Sequence, residues 1–188
     1  MACPTLFFCL VFSVLLGLFQ GTIATPAKPV GQHQKCVEKP IGKRTAKEVI
    51  DKLGLAANPE KGYFKETFRD SLLINTGNGT RSASTAIYYL LEGSAGESLW
   101  HRIDAAEVWQ YYAGAPLTLS LSQNDGKGVR KVVLGPDVFK GQQPQVVIGS
   151  WEWQSAKSEG AWTLVGTTVA PAFDPAFYEI QQDGWYPN

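Results

Sequence analysis

Polar and apolar residues follow two different periods along this chain. In residues 45–54 (TAKEVIDKLG) Val49, Ile50 and Leu53 recur at helical spacing, and Thr45 with Glu48 forms a Thr-x-x-Glu capping box. Beyond Leu55, short runs rich in Val, Ile, Thr and aromatic residues are separated by turn residues. The pattern predicts one short helix followed by about nine strands.

The spacing of these runs predicts an all-β domain. Strands at regular spacing with a single helix are typical of an antiparallel sandwich or a jelly roll. Residues 124–126 (Asn-Asp-Gly) lie between two alternating runs and predict a hairpin. Because no repeat or second composition zone interrupts residues 45–188, we predict one domain there.

The N-terminal residues have a different pattern. Residues 1–24 carry no charged side chain, and residues 6–19 are nearly all apolar. This stretch is shorter than the roughly 20 residues that a membrane span requires, so it predicts a signal peptide cleaved after Ala24; the alternative is an uncleaved anchor. Residues 25–44, with three prolines, predict a flexible lead-in. We therefore expect a secreted, extracellular protein with no membrane attachment after signal removal.

The charge, the cysteine content and one sequence motif limit the partners and modifications that we expect for this protein. The chain has 17 basic and 17 acidic side chains and no net charge, which argues against a nucleic-acid partner. Signal cleavage would leave Cys36 alone, so it is a free thiol or bridges two chains. Asn78-Gly79-Thr80 is an N-glycosylation acceptor in a turn-rich loop, and the alternative is a chance match.

Five blocks of sequence together resemble one known family. They are NPEKGYFKETFRD, STAIYYLL, SLWHRIDAAEVWQYYAGAPL, VVLGPDVFKGQQPQVVI and WTLVGTTVAPAFDPAFYEI. In order and spacing they resemble a small branch of the cupins that is related to the deoxysugar 3,5-epimerases, over roughly residues 46–180. The resemblance implies a double-stranded β-helix, commonly a homodimer, with a small-molecule ligand inside the barrel. The chain departs from the family where Asn58 and Gln110 replace histidines.

The resemblance also bears on metal binding. Cupin metalloenzymes hold their ion with three imidazoles and a carboxylate, and here His101, Glu107 and Gly114 match the first motif while Ile103 replaces its second histidine. The second motif contains no histidine, and the other histidine, His33, lies in the lead-in. The sequence thus predicts no metal and no cofactor, with an oxygen-ligated manganese or calcium ion as the alternative.

His101 and Glu107 are the predicted catalytic pair. If the cupin register holds, strand alternation directs Glu107, Trp109 and Tyr111 into the barrel, because successive side chains point to opposite faces. Glu107 would orient the His101 ring as a general base, and Tyr111 or Tyr63 would return the proton. The alternative is a buried pair that only stabilises the barrel.

Several other side chains are predicted to contact a ligand: Tyr63, Glu66, Arg69, Trp109 and Gln154. Arg69 could bind a carboxylate or phosphate with its guanidinium fork, and the alternative for Glu66 and Arg69 is an exposed edge strand. Gln154 corresponds to the place of a metal-binding histidine in relatives.

These features favour a secreted, metal-independent cupin that binds a small polar or carbonyl-bearing molecule and isomerises, epimerises or cyclises it. A second hypothesis is a non-catalytic module that binds a carbohydrate or metabolite. A third is a metal-dependent oxidase or dioxygenase.

Overall fold

A computed structural model describes residues 39–77 and 79–188. The predicted signal peptide, Cys36 and the predicted glycosylation site Asn78 lie outside these residues. Within the described ranges, no helix is both long enough and apolar enough to cross a membrane.

The described residues form one α-helix and thirteen strands. Their bounds are α1 Ala46–Leu53, β1 Ala56–Ala57, β2 Tyr63–Arg69, β3 Leu73–Asn75, β4 Thr80–Ser82, β5 Thr85–Glu92, β6 His101–Ile103, β7 Ala106–Gly114, β8 Leu117–Ser122, β9 Arg130–Leu134, β10 Gln145–Ile148, β11 Trp153–Ser158, β12 Trp162–Ala170 and β13 Tyr178–Ile180. Short 3₁₀ helices cover Ile41–Lys43, Gly93–Ala95, Val138–Lys140 and Pro175–Phe177.

Helix α1 begins and ends as its sequence predicts. The Thr45 hydroxyl accepts a hydrogen bond from the Glu48 backbone N–H at 3.2 Å, and the Glu48 carboxylate accepts one from the Thr45 N–H at 2.7 Å. Gly54 ends the helix with a φ of 66°, a left-handed conformation that glycine adopts without a Cβ penalty. The buried face of α1 packs with Leu90 and Trp162 on the outside of a sheet.

Two antiparallel sheets form the body of the domain. The larger has the strand order β1-β2-β5-β12-β7-β10, the smaller has the order β13-β6-β11-β8-β9, and β3 and β4 form a separate ribbon. Neighbours within each sheet are often distant in sequence, so the chain crosses repeatedly between sheets, which is typical of a jelly roll. The predicted all-β class with one short N-terminal helix is confirmed.

Most of the predicted runs are strands of the structure. The hairpin prediction is confirmed, since β8 pairs with β9 around a loop in which Asn124 and Gly126 have positive φ. Residues 144–156 (PQVVIGSWEWQSA) form one β-type run in the sequence pattern, which predicts a single strand there. The structure corrects this prediction, because the run breaks into β10 and β11, which lie in different sheets. The reversal falls at residues 149–152, where Trp151 adopts a φ of 58° and Gly149 N–H donates to Glu152 Oε2.

The main apolar core lies between the two sheets. Leu117, Leu119 and Leu121 of β8 and Leu134 of β9 are fully buried there, beside Val165 of β12. Strands β5 and β12 also contribute to the second cluster, under α1, so both of their faces are covered. Burial on both faces explains the unbroken apolar run of residues 86–91 (AIYYLL) in β5.

Candidate functional site

A cavity of about 320 Å³ opens at one end of the barrel. Strand alternation builds its wall, because residues two apart on the same strand face the same side. The lining residues are Phe64 and Glu66 of β2, Thr85, Ile87 and Tyr89 of β5, His101 and Ile103 of β6, Glu107 and Trp109 of β7, Thr167 and Val169 of β12, Tyr178 of β13, and, outside the strands, Asn58, Pro59, Glu60, Phe173 and Pro175.

The His101 ring lies between a backbone carbonyl and a carboxylate. Its Nδ1 is 3.1 Å from the Leu99 carbonyl oxygen, and its Nε2 is 3.6 Å from Glu60 Oε2. Since a carbonyl oxygen only accepts, Nδ1 carries a proton and Nε2 faces Glu60. The expected pairing with Glu107 is therefore corrected: the carboxylate within 4 Å of the ring is Glu60, because the loop before β2 folds over the end of β6.

Glu60 joins His101 to a tyrosine. While Oε2 faces the imidazole, Oε1 accepts a hydrogen bond from the Tyr178 hydroxyl at 2.9 Å. The loop is held in place because the Asn58 side chain accepts from the Glu60 N–H at 2.9 Å. Gly62 brings this loop against β5, where a Cβ would lie 2.5 Å from the Leu90 carbonyl oxygen. These contacts form a chain of three groups: His101, Glu60 and Tyr178.

Burial raises the pKa values of the acidic groups in this chain of contacts. It raises the pKa of the Glu60 carboxyl; attraction to His101 opposes this rise, and the nearby Glu107 carboxylate adds to it. Burial also raises the pKa of Tyr178 and of Tyr89, and the charge of Glu60 reinforces both increases. The two phenols consequently keep their protons and act as hydrogen-bond donors at neutral pH.

Glu107 is held from the opposite sheet. Its Oε2 accepts a hydrogen bond of 2.7 Å from the Gln154 side-chain amide, and Gln154 pairs in register with His101 on the neighbouring strand. Gln154 is 1 % exposed and lies behind the cavity wall. Two residues further along β7, Trp109 lines the cavity and meets Tyr89 edge to face at 5.8 Å.

Of the other residues predicted for the site, Glu66 lies at the cavity with Arg69 paired to it, whereas Tyr111 and Tyr63 lie away from it. Glu66 lines the cavity and accepts two hydrogen bonds, of 3.0 and 2.7 Å, from the Arg69 guanidinium. The guanidinium of Arg69 is therefore already paired with a carboxylate of the cavity wall. Tyr111 packs on the apolar core and donates to the Gly114 carbonyl at 2.6 Å. Tyr63 packs in the cluster under α1. Neither of these two tyrosines lines the cavity.

Sequence reasoning missed Glu60, Tyr178 and Tyr89 as site residues. Glu60 falls in the first block that carries the family resemblance, and Tyr178 falls in the last. The one available signal was a carboxylate in a loop that directly precedes a strand. The hydrogen bond between Tyr178 and Glu60 joins positions 118 residues apart, which no local pattern predicts.

The donor set does not fit a cupin metal centre. Among residues 39–77 and 79–188, no three His, Cys, Asp or Glu side chains are arranged to hold an ion. In the described part of the chain, His101 is the single imidazole at the cavity, and Gln154 stands opposite it in register. First-row transition metals are generally held by at least two nitrogen or sulfur ligands, so no step is assigned to a metal.

Comparison with known proteins identifies the family. The family model described as Cupin superfamily (DUF985) matches residues 47–181. The chain belongs to this cupin family. The predicted resemblance to the cupins is confirmed, and membership supports a cupin-type role in small-molecule binding or catalysis.

Two solved structures are similar to this cupin. A hypothetical protein from Leishmania major is 28 % identical with a TM-score of 0.69, and the match covers 74 % of this chain and 88 % of that one. A protein from Shewanella oneidensis is 26 % identical with a TM-score of 0.67, covering 74 % and 85 %. No protein with a curated description matches the chain.

Proposed function

We propose that this cupin binds a small polar, carbonyl-bearing molecule in its barrel and moves a proton beside the carbonyl without a metal, as an isomerase or epimerase. The observation that carries the proposal is the chain of contacts from His101 through Glu60 to Tyr178. A base, a carboxylate that supports it and a phenol that donates are the groups that such a reaction needs. The apolar length of residues 6–19 supports action outside the cell.

His101 is the proposed base. With Nδ1–H bonded to the Leu99 carbonyl, the Nε2 lone pair of the neutral ring is the free basic position. It takes the proton from the carbon next to the carbonyl, and the C–H electron pair moves into the carbonyl to give an enolate oxygen. Glu60 stabilises the resulting imidazolium, because an ionised carboxylate 3.6 Å away favours its charge.

Tyr178 is the proposed donor. Its ring centroid is 5.8 Å from that of His101, and its raised pKa keeps the hydroxyl protonated. When the substrate binds, this hydroxyl turns from Glu60 and donates its one proton to the substrate oxygen on which negative charge develops. The imidazolium then gives its proton to the former carbonyl carbon, while the hydroxyl proton of the adjacent carbon moves to the enolate oxygen and that carbon becomes the new carbonyl. The substrate is isomerised with no net gain or loss of atoms.

A second candidate function is non-catalytic binding of the same class of molecule. It is favoured by the apolar and aromatic share of the wall, including Phe64, Ile87, Trp109, Val169 and Phe173. Such a wall with few polar groups is typical of a binding pocket.

Deuterium exchange separates the two candidates. The protein is incubated in D₂O with small aldoses, ketoses and 2-oxo compounds, and NMR records the loss of the proton signal beside the carbonyl. We expect exchange with the wild type and a loss of at least about 100-fold in His101→Gln, because general base catalysis contributes on that order.

The control for this experiment is Tyr111→Phe, which removes a hydroxyl outside the cavity and should keep the exchange rate. Circular dichroism confirms that each variant is folded. Undiminished exchange in folded His101→Gln would refute His101 as the base. Binding without exchange in the wild type would instead establish the non-catalytic function.

A further inference from the structure

The charged residues of the cavity wall are almost all of one sign. Three carboxylates line it, from Glu60, Glu66 and Glu107, together with the His101 imidazole. Among the residues that the structure describes, the lining contains no lysine or arginine. A wall of this composition repels a carboxylate or phosphate and attracts a positive group.

Two of the three carboxylates already have a basic partner. Glu60 faces His101 at 3.6 Å, and Glu66 pairs with Arg69 at 2.7 Å. Glu107 is different: its one hydrogen-bond partner among the described residues is the neutral amide of Gln154. No Lys, Arg or His nitrogen in that part of the chain lies within 4.0 Å of it.

Glu107 is also buried. The residue is 7 % exposed, and it lies in the cavity wall. Buried carboxylates are normally paired, because a buried charge without a partner is costly. A ligand that brings its own positive charge to Glu107 offsets this cost, and a neutral or negative ligand does not.

The aromatic wall beside Glu107 favours the same kind of ligand. Trp109 follows two residues later on the same face of β7, and Tyr89 packs against it at 5.8 Å. The face of an aromatic ring attracts an ammonium group, most strongly for tryptophan. A carboxylate next to an indole therefore offers an amine both an ionic and a cation–π contact.

We propose that Glu107 makes this cavity selective for a molecule with a protonated amine and excludes carboxylates and phosphates of the same shape. The inference rests on the proposed function and narrows its substrate class to an amine-bearing carbonyl compound, of which an amino sugar is one example. A nucleotide-linked sugar, with its negative diphosphate, falls in the excluded class.

The test compares three probes of matched shape: glucosamine, glucose and glucuronate. Binding to the full chain is measured by ligand-observed NMR titration, at a pH where the amine is protonated. We expect glucosamine to bind more tightly than glucose, and glucuronate to bind most weakly. In Glu107→Gln, which keeps the size and a hydrogen-bonding group, glucosamine should lose about tenfold in affinity while glucose changes little.

Glu179→Gln is the matched control, because it removes one negative charge from a surface pair with Arg102 outside the cavity. It should keep the preference for glucosamine. Equal affinities for the three probes in the wild type, an absence of glucosamine binding, or an unchanged preference in Glu107→Gln would each overturn the inference.

The same probes distinguish this failure from failure of the proposed function. If glucose exchanges its proton in D₂O and glucosamine shows no preference, the amine selectivity is refuted and the catalytic proposal stands. If glucosamine binds through Glu107 and no probe exchanges, the selectivity stands and the proton-transfer function is refuted.

Discussion

The two ends of the barrel interior are built in opposite ways. The packed half, formed by Leu117, Leu119, Leu121 and Leu134, is filled with side chains that are 0 % exposed. The open half, the cavity around His101, is hollow and carries carboxylates, an imidazole and phenols. Both halves lie between the same two sheets, so the architecture alone does not decide which is filled.

Tyr89 and Trp109 mark the boundary between the halves. They belong to the apolar core and also line the cavity. Stability and recognition therefore depend on different ends of one interior. Leucines in the packed half contribute burial energy, whereas polar groups in the open half have a desolvation cost.

The largest expected effect is from truncation in the packed half. Leu119→Ala should lower the free energy of unfolding by about 2–5 kcal/mol, because it removes apolar contacts and leaves a void. Ile87→Ala in the open half should cost less, since Ile87 already borders the cavity. Urea denaturation measures both. Equal losses would show that the two halves are packed alike.

Enlarging a side chain should also cost more stability in the packed half than in the open half. Ala156, 1 % exposed in the packed half, has no room for growth, so Ala156→Leu should cost about 1–3 kcal/mol through overpacking. Ile87→Phe should extend into the cavity with a smaller loss of stability and should block ligand binding. Thermal unfolding and NMR titration test the pair. Unimpaired binding in Ile87→Phe would place the ligand elsewhere.

The smallest expected effect is a pH dependence in the open half. Burial raises the pKa of Glu60 above its ordinary value of 4.5, so the unfolded chain releases this proton at lower pH than the folded chain does. Relative to Glu60→Gln, the wild type should therefore lose stability as pH rises from about 4.5 through the raised pKa, and level off above it. Denaturation of both proteins across this pH range measures the difference. A difference that grows with pH in favour of the wild type would contradict the prediction.

The fold was largely predictable because its signals are local. The Thr-x-x-Glu box of Thr45 and Glu48 spans only four residues and predicted the start of α1, and the alternating runs predicted most strands. The break between β10 and β11 was missed, because Trp151 adopts a positive φ that nothing in its residue type demands. The resemblance to the cupins placed His101, Glu107 and Trp109 in the barrel.

The partners within the site were less predictable. His101 was expected to face Glu107, six residues away on the next strand, and instead faces Glu60 from another part of the chain. Tyr111 shares the inward face of β7 with Glu107 and Trp109. Its hydroxyl nevertheless donates a hydrogen bond to the carbonyl of Gly114, at the end of the strand away from the cavity. Alternation sets the face of a side chain and says nothing of its depth along the barrel.

By itself, the sequence determined the class of fold, the position of the helix and the scarcity of imidazole, because each depends on residue type and short-range spacing. Only the tertiary structure decided that Glu60 and Tyr178 meet His101, while Glu107 has no basic partner within residues 39–77 and 79–188. Those contacts join loops and strands that are far apart in the chain, and they form only when the two sheets close around the cavity.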